Sequence, residues 1–105
     1  MVGMHVRFEM KPGMEQVLLD WKKAEGVLQV QTPGFIKRSM TRDIENPNVF
    51  YYVSFWRTRE QMLGFLHSPH FEEVIQGVGV RDAILSRSIS RVEECFDDDG
   101  LFPND

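Results

Sequence analysis

The sequence predicts an α+β fold: a four-stranded antiparallel sheet with its helices packed on one face. Three observations predict it. Apolar residues alternate over positions 2–10 and then switch to steps of three and four. Positions 49–56 form a charge-free run of aromatic and β-branched residues. The segments follow the order strand, helix, strand, strand, interrupted helix, strand, which is the ferredoxin-like β-α-β-β-α-β pattern.

In the first segment Met4, Val6, Phe8 and Met10 share one face, and His5, Arg7 and Glu9 the other. Lys11-Pro12-Gly13 ends the strand, because proline cannot donate to a ladder and glycine permits a sharp turn. From position 14 the apolar residues Met14, Val17, Leu18, Trp21, Ala24 and Leu28 trace one helical face. Glu15, Asp20, Lys22, Lys23 and Glu25 are assigned to the opposite, solvated side. Gly26 weakens the helix by about 1 kcal/mol relative to alanine, so fraying is expected beyond it. Thr32-Pro33-Gly34 turns the chain into a mixed strand over 35–43, and Glu45-Asn46-Pro47-Asn48 makes a hairpin to the next.

That next strand, residues 49–56, is apolar on both faces. Val49, Tyr51, Val53 and Phe55 lie on one face, and Phe50, Tyr52 and Trp56 on the other. Tyr52 and Trp56 are assigned to the helix side and the Tyr51 parity to the open side. Thr58-Arg59-Glu60-Gln61 reads as a capping box opening a short helix through Leu66. Ser68-Pro69 restarts a helix, serine as N-cap and proline at the first helical position. Phe71, Val74 and Ile75 form its apolar face; Gly77 and Gly79 end it, and a strand follows over 83–92. Residues 1–96 are thus read as one domain, and 97–105 as an acidic tail without structure of its own.

Composition excludes several classes. A net charge of −4 with scattered lysines and arginines is not the footprint of a nucleic-acid binder. Cys95 is the single cysteine, so neither an intrachain disulfide nor a cysteine-based zinc site is available, and its acidic neighbours oppose a reactive thiolate. No apolar run approaches the roughly 20 residues of a membrane span, and positions 1–10 lack a signal-peptide pattern, so a cytoplasmic location is expected. With helices on one side of the sheet only, the open face needs cover. A homodimer packed sheet to sheet about a twofold axis supplies it.

The landmarks Lys11-Pro12-Gly13, Thr32-Pro33-Gly34-Phe35, Phe55-Trp56 and Ser68-Pro69-His70-Phe71 occur in an order that resembles the antibiotic biosynthesis monooxygenase superfamily of dimeric α/β barrels. The resemblance spans roughly residues 4–92. It implies a pocket between sheet and helices and, in many members, oxygenase chemistry without a cofactor. In those members the substrate itself supplies electrons as an enolate or phenolate. The heme-degrading members place an Asn, a Trp and a His where this chain has Val6, Phe65 and Ile75. None of these can organise heme in that way, so that activity is disfavoured.

Trp56 matches a tryptophan of the polyketide-oxidising members, whereas Tyr52 stands where they carry Asn. Tyr52 could donate its hydroxyl to a substrate oxygen, and His70 has the near-neutral pKa of a general base. Tyr52, Trp56 and His70 are therefore the catalytic candidates, with Val6, Trp21, Phe65 and Phe71 as walls of a substrate pocket. His67 and His70 are three apart, but Ser68-Pro69 breaks the helix between them, so no metal site is expected. The expected function is a cofactor-independent monooxygenase acting on an aromatic or quinol-like small molecule. The alternatives are a dimeric binding protein that retains the pocket without a reaction, and an accessory subunit whose aromatic sheet face serves only assembly.

Overall fold

The computed structural model describes residues 1–69, 71, 73 and 80–96. Its elements are β1 (Val2–Met10), α1 (Glu15–Gln29), β2 (Phe35–Arg42), β3 (Val49–Trp56), α2 (Arg59–Leu66), a helical turn α3 (Val80–Ala83) and β4 (Ile84–Glu94). The four strands form one sheet in the order β2-β3-β1-β4, every pair antiparallel. This is the ferredoxin-like arrangement. The acidic stretch 97–105 lies outside the described residues, as do His70 and Ile75.

Register explains how the core forms. Val6 pairs with Tyr52 and Phe8 with Phe50, so the even-numbered side chains of β1 and β3 face the helices together. Met4, Val6, Phe8, Met10, Phe50, Tyr52 and Trp56 are buried there with Leu18 and Trp21 of α1 and Met62 and Phe65 of α2. On β2, Arg38 pairs with Ser54 and Met40 with Tyr52, which turns Arg38 toward the same layer. The parity expected for β3 is the one observed.

Three features of α1 differ from the sequence expectation. The helix runs on to Gln29 without ending at Gly26. A Cβ at Gly26 would collide with the Arg38 guanidinium, so this glycine opens the space in which Arg38 lies against the helix. Met14 is exposed, and Glu25 is buried with only 2% of its surface accessible. The buried stripe is Leu18, Trp21, Glu25 and Gln29, a three-step followed by two four-steps along one side of the helix.

Helix entry follows side-chain capping. Thr58 Oγ1 accepts from the Gln61 backbone N–H at 3.1 Å and opens α2. The Gln61 side chain does not close the box on the Thr58 backbone; its Oε1 accepts from the Thr58 hydroxyl instead. Ser68 Oγ accepts from the Phe71 backbone N–H at 3.2 Å, as its cap assignment requires. Gly34 adopts φ +90°, and a Cβ there would meet the Gln61 side chain, so the turn into β2 and the start of α2 depend on that missing atom.

The open face is less apolar than β3 alone implied. Val49 and Phe55 are buried, Phe55 lying against the bare Gly3 backbone of β1. Tyr51 and Val53 remain accessible and form a shallow groove with His5, Ser39, Thr41, Ser90 and Arg91. Tyr51 donates to Asp43 at 2.9 Å, and His5 meets Glu93 at 2.6 Å. On the edge strand β4, Leu85, Ile89 and Val92 are also exposed, Ile89 and Val92 pairing with the helix-facing Val6 and Met4.

Candidate functional site

The six apolar residues named as candidate site residues, Tyr52 and Trp56 among them, converge between sheet and helices. Val6, Trp21, Tyr52, Trp56, Phe65 and Phe71 all line one internal cavity. The rings pack in pairs, Trp21–Tyr52 at 5.9 Å and Phe65–Phe71 at 5.0 Å edge to face, Phe8–Trp21 at 5.6 Å and Trp56–Phe65 at 5.2 Å tilted. The free volume is about 10 Å³, room for about one water. On the outer side of Phe65 lies an open cleft of about 440 Å³ between the end of α1 and α2, lined by Leu28, Thr32, Pro33 and Gly64. The Phe65 ring lines both spaces.

The cavity also holds a polar group. Gln29 Nε2 donates to the Tyr52 hydroxyl at 2.7 Å, and that hydroxyl donates to Glu25 Oε1, also at 2.7 Å. Arg38 approaches the same carboxylate oxygen at 3.4 Å and donates to the Lys22 carbonyl at 2.6 Å. Two buried polar atoms on this wall have no protein partner, Trp21 Nε1 and Gln29 Oε1. Orphaned donors and acceptors of this kind are uncommon in a folded interior, and each marks a place where a further molecule can bond.

Burial dominates the electrostatics. It pushes the Glu25 carboxyl up to about 7, against the opposing hydrogen bond from Tyr52, the charge and hydrogen bond of Arg38 and the charge of Arg87. The Tyr52 phenol is also raised, first by burial and then by the charge and hydrogen bond of Glu25. Tyr52 therefore stays a neutral hydroxyl and relays a hydrogen bond; it is no base.

Trp56 is buried to 1%, and its Nε1–H is committed to Ser54 Oγ at 3.0 Å. Its ring forms wall, whereas the free indole N–H of the cavity belongs to Trp21. Glu25, Gln29 and Arg38 were missed by sequence reasoning. The available signal was spacing: Glu25 and Gln29 follow Trp21 at four and eight residues and so share its helix face. Among the described residues no group of His, Cys, Asp and Glu is placed to hold a metal, and no helix is long and apolar enough to cross a membrane.

The family model for antibiotic biosynthesis monooxygenases matches residues 1–77. The chain belongs to that family. Solved structures share its fold at low sequence identity. A conserved protein from Methanosarcina mazei Go1 has a TM-score of 0.77 at 16% identity, covering 90% of this chain and 92% of its own. SnoaB, a cofactor-independent oxygenase from Streptomyces nogalater, has a TM-score of 0.72 at 13% identity, covering 91% and 93%. A protein from Deinococcus radiodurans, solved as a candidate antibiotic biosynthesis monooxygenase, has a TM-score of 0.77 at 16% identity, covering 92% and 94%. No curated protein sequence matches the chain.

Proposed function

We propose that this chain is a cofactor-independent monooxygenase whose substrate is an aromatic, phenol- or quinol-like small molecule. The observation that carries the reading is the enclosed aromatic cavity with unpartnered polar atoms on its wall, in a chain of this family. Planar apolar walls with a few convergent polar groups suit an aromatic ring bearing oxygen substituents. Val6, Trp21, Phe65 and Phe71 hold the ring beside Tyr52 and Trp56, and a ligand reaches them from the outer cleft when Phe65 swings aside. His70, which lies outside the described residues, keeps its proposed role as a general base.

The chemistry balances without an added reductant. A phenolate transfers electrons to dioxygen and forms a carbon–oxygen bond at a ring carbon. That carbon loses its hydrogen, one oxygen atom becomes a quinone carbonyl, and the other leaves as water. A dry interior protects the reactive intermediate from solvent. Oxygen-electrode assays of the pure protein with a panel of naphthols, anthrones and quinols should show catalytic uptake with at least one. No uptake above the spontaneous rate, together with saturable binding of a panel member, would favour the alternative of a non-catalytic binding protein.

The working unit is proposed to be a homodimer that covers the open sheet face. Light scattering at micromolar concentration should return twice the 12.3 kDa chain mass. Val53→Asp places a charge on that face and should shift the species to monomer or unfold it. A wild-type mass of one chain would remove the sheet-packing argument.

Heme handling is a separate expectation. Val6 offers no hydrogen bond to an iron-bound ligand. Hemin titration should give no saturable, sharp Soret band. A stoichiometric complex that releases iron with ascorbate would put heme degradation first.

A further inference from the structure

We propose that Glu25 is the proton acceptor of this interior, taking the hydroxyl proton of a phenolic ligand bound between Trp21 and Gln29. The assignment deepens the reading of the cavity as a phenol-oxidising site and rests on it for the identity of the ligand. Three placements carry it. Glu25 is a buried carboxyl on the cavity wall, oriented by the Tyr52 hydroxyl at 2.7 Å and by Arg38 at 3.4 Å. One turn before it on α1, Trp21 Nε1–H is a buried donor without a partner. One turn after it, Gln29 Oε1 is a buried acceptor without a partner.

These vacant bonds match a dihydroxy aromatic, admitted when Phe65 swings aside and joins the cavity, about 10 Å³ as it stands, to the outer cleft of about 440 Å³. The Trp21 N–H donates to the oxygen that loses its proton, and the Gln29 amide oxygen accepts from a second hydroxyl. The proton step is balanced within the cavity: the ligand O–H bond breaks, a carboxyl O–H bond forms on Glu25, and the negative charge moves from carboxylate to phenolate. Net charge in the interior is unchanged, so Arg38 and Arg87 on the flanking strands compensate the anion before and after transfer. The charged and titratable groups facing Glu25 are then Arg38 on β2, Tyr52 on β3 and Arg87 on β4. A carboxyl held near neutrality is matched to this task, since it is ionised often enough to accept and basic enough to keep the proton.

The test uses 7-hydroxycoumarin, a fused-ring phenol whose neutral and anionic forms differ in absorption. At about pH 7, near the Glu25 midpoint, wild-type protein should bind it saturably with a phenolate band stronger than that of the free probe. Glu25→Gln should bind it with the phenolate band lost, and Glu25→Asp should restore part of the band. Equal bands in wild type and Glu25→Gln, or no saturable binding to wild type, would overturn the assignment. With any quinol that is turned over, Glu25→Gln should lower kcat by about 10²-fold with little change in KM. An unchanged kcat would also overturn it. A wild-type phenolate band without oxygen uptake would instead sink the oxygenase reading and leave Glu25 as the proton acceptor of a binding protein.

Discussion

Between pH 5 and pH 8 the wild-type protein should lose about 2.5 kcal/mol of stability relative to a Glu25→Gln variant. The magnitude follows from the rise of the buried carboxyl from its ordinary 4.5 to about 7. Because the folded-state value is raised, the native chain holds a proton between about 4.5 and 7 that the unfolded chain has released. Stability attached to the protonated form is complete below 4.5 and is lost as pH rises through 7. Glutamine cannot ionise, and it offers Tyr52 the same donor and acceptor as a protonated carboxyl, so its profile should lack this slope. Asp43 and Glu93 act in the opposite sense. Asp43 is held low by the backbone N–H of Asn46 and the Tyr51 hydroxyl, and Glu93 by its hydrogen bond to His5. Their contributions are lost only as pH falls below the ordinary carboxylate range, outside the window that reports Glu25. Urea unfolding of both proteins at four pH values measures the difference. Parallel curves would show that Glu25 is not held protonated by its surroundings.

That buried carboxyl also shows where sequence reading stops. Alternation along β1 and β3 fixed which side chains meet the helices, because a strand side chain has only two faces to choose from. The apolar walls followed from that parity and from the aromatic positions of α1 and α2. On α1 a carboxylate was assigned to solvent by its type, although its step of four from Trp21 placed it on the core face. Polarity and periodicity disagreed at Glu25 and Gln29, and such conflicts tend to mark functional or strained positions. Arg38 was harder to place, since its role depends on a gap in another element, the missing Cβ of Gly26. β4 was hardest. Register shifts beside His5 and Glu9 reset its pairing with β1, so simple alternation does not assign its exposed Ile89 and Val92 to a face. Nor did composition foretell how little empty space the interior would hold.

Replacing Trp56 with alanine should cost about 3–5 kcal/mol, a large share of the roughly 5–15 kcal/mol that holds a small domain folded. The ring is buried to 1% at the end of β3, edge to face with Phe35 at 5.4 Å and tilted against Phe65 at 5.2 Å. Its removal leaves a void that the sheet cannot close, because the backbone of Trp56 is fixed by pairing to Val2 on one side and Phe35 on the other. It also strips Ser54, itself 1% exposed, of the indole donor at 3.0 Å. Trp56→Phe separates packing from hydrogen bonding. It retains an aromatic contact to Phe35 and Phe65 while losing the bond to Ser54, and should cost about 1–2 kcal/mol. The same pair of variants examines the chemistry. Since the Trp56 N–H is committed to Ser54, Trp56→Phe should keep kcat within a few-fold on any substrate that is turned over, and the effect should fall on stability. A collapse of kcat in a Trp56→Phe protein that melts normally would place the indole N–H on the substrate, and Ser54 would then be its resting partner rather than its working one.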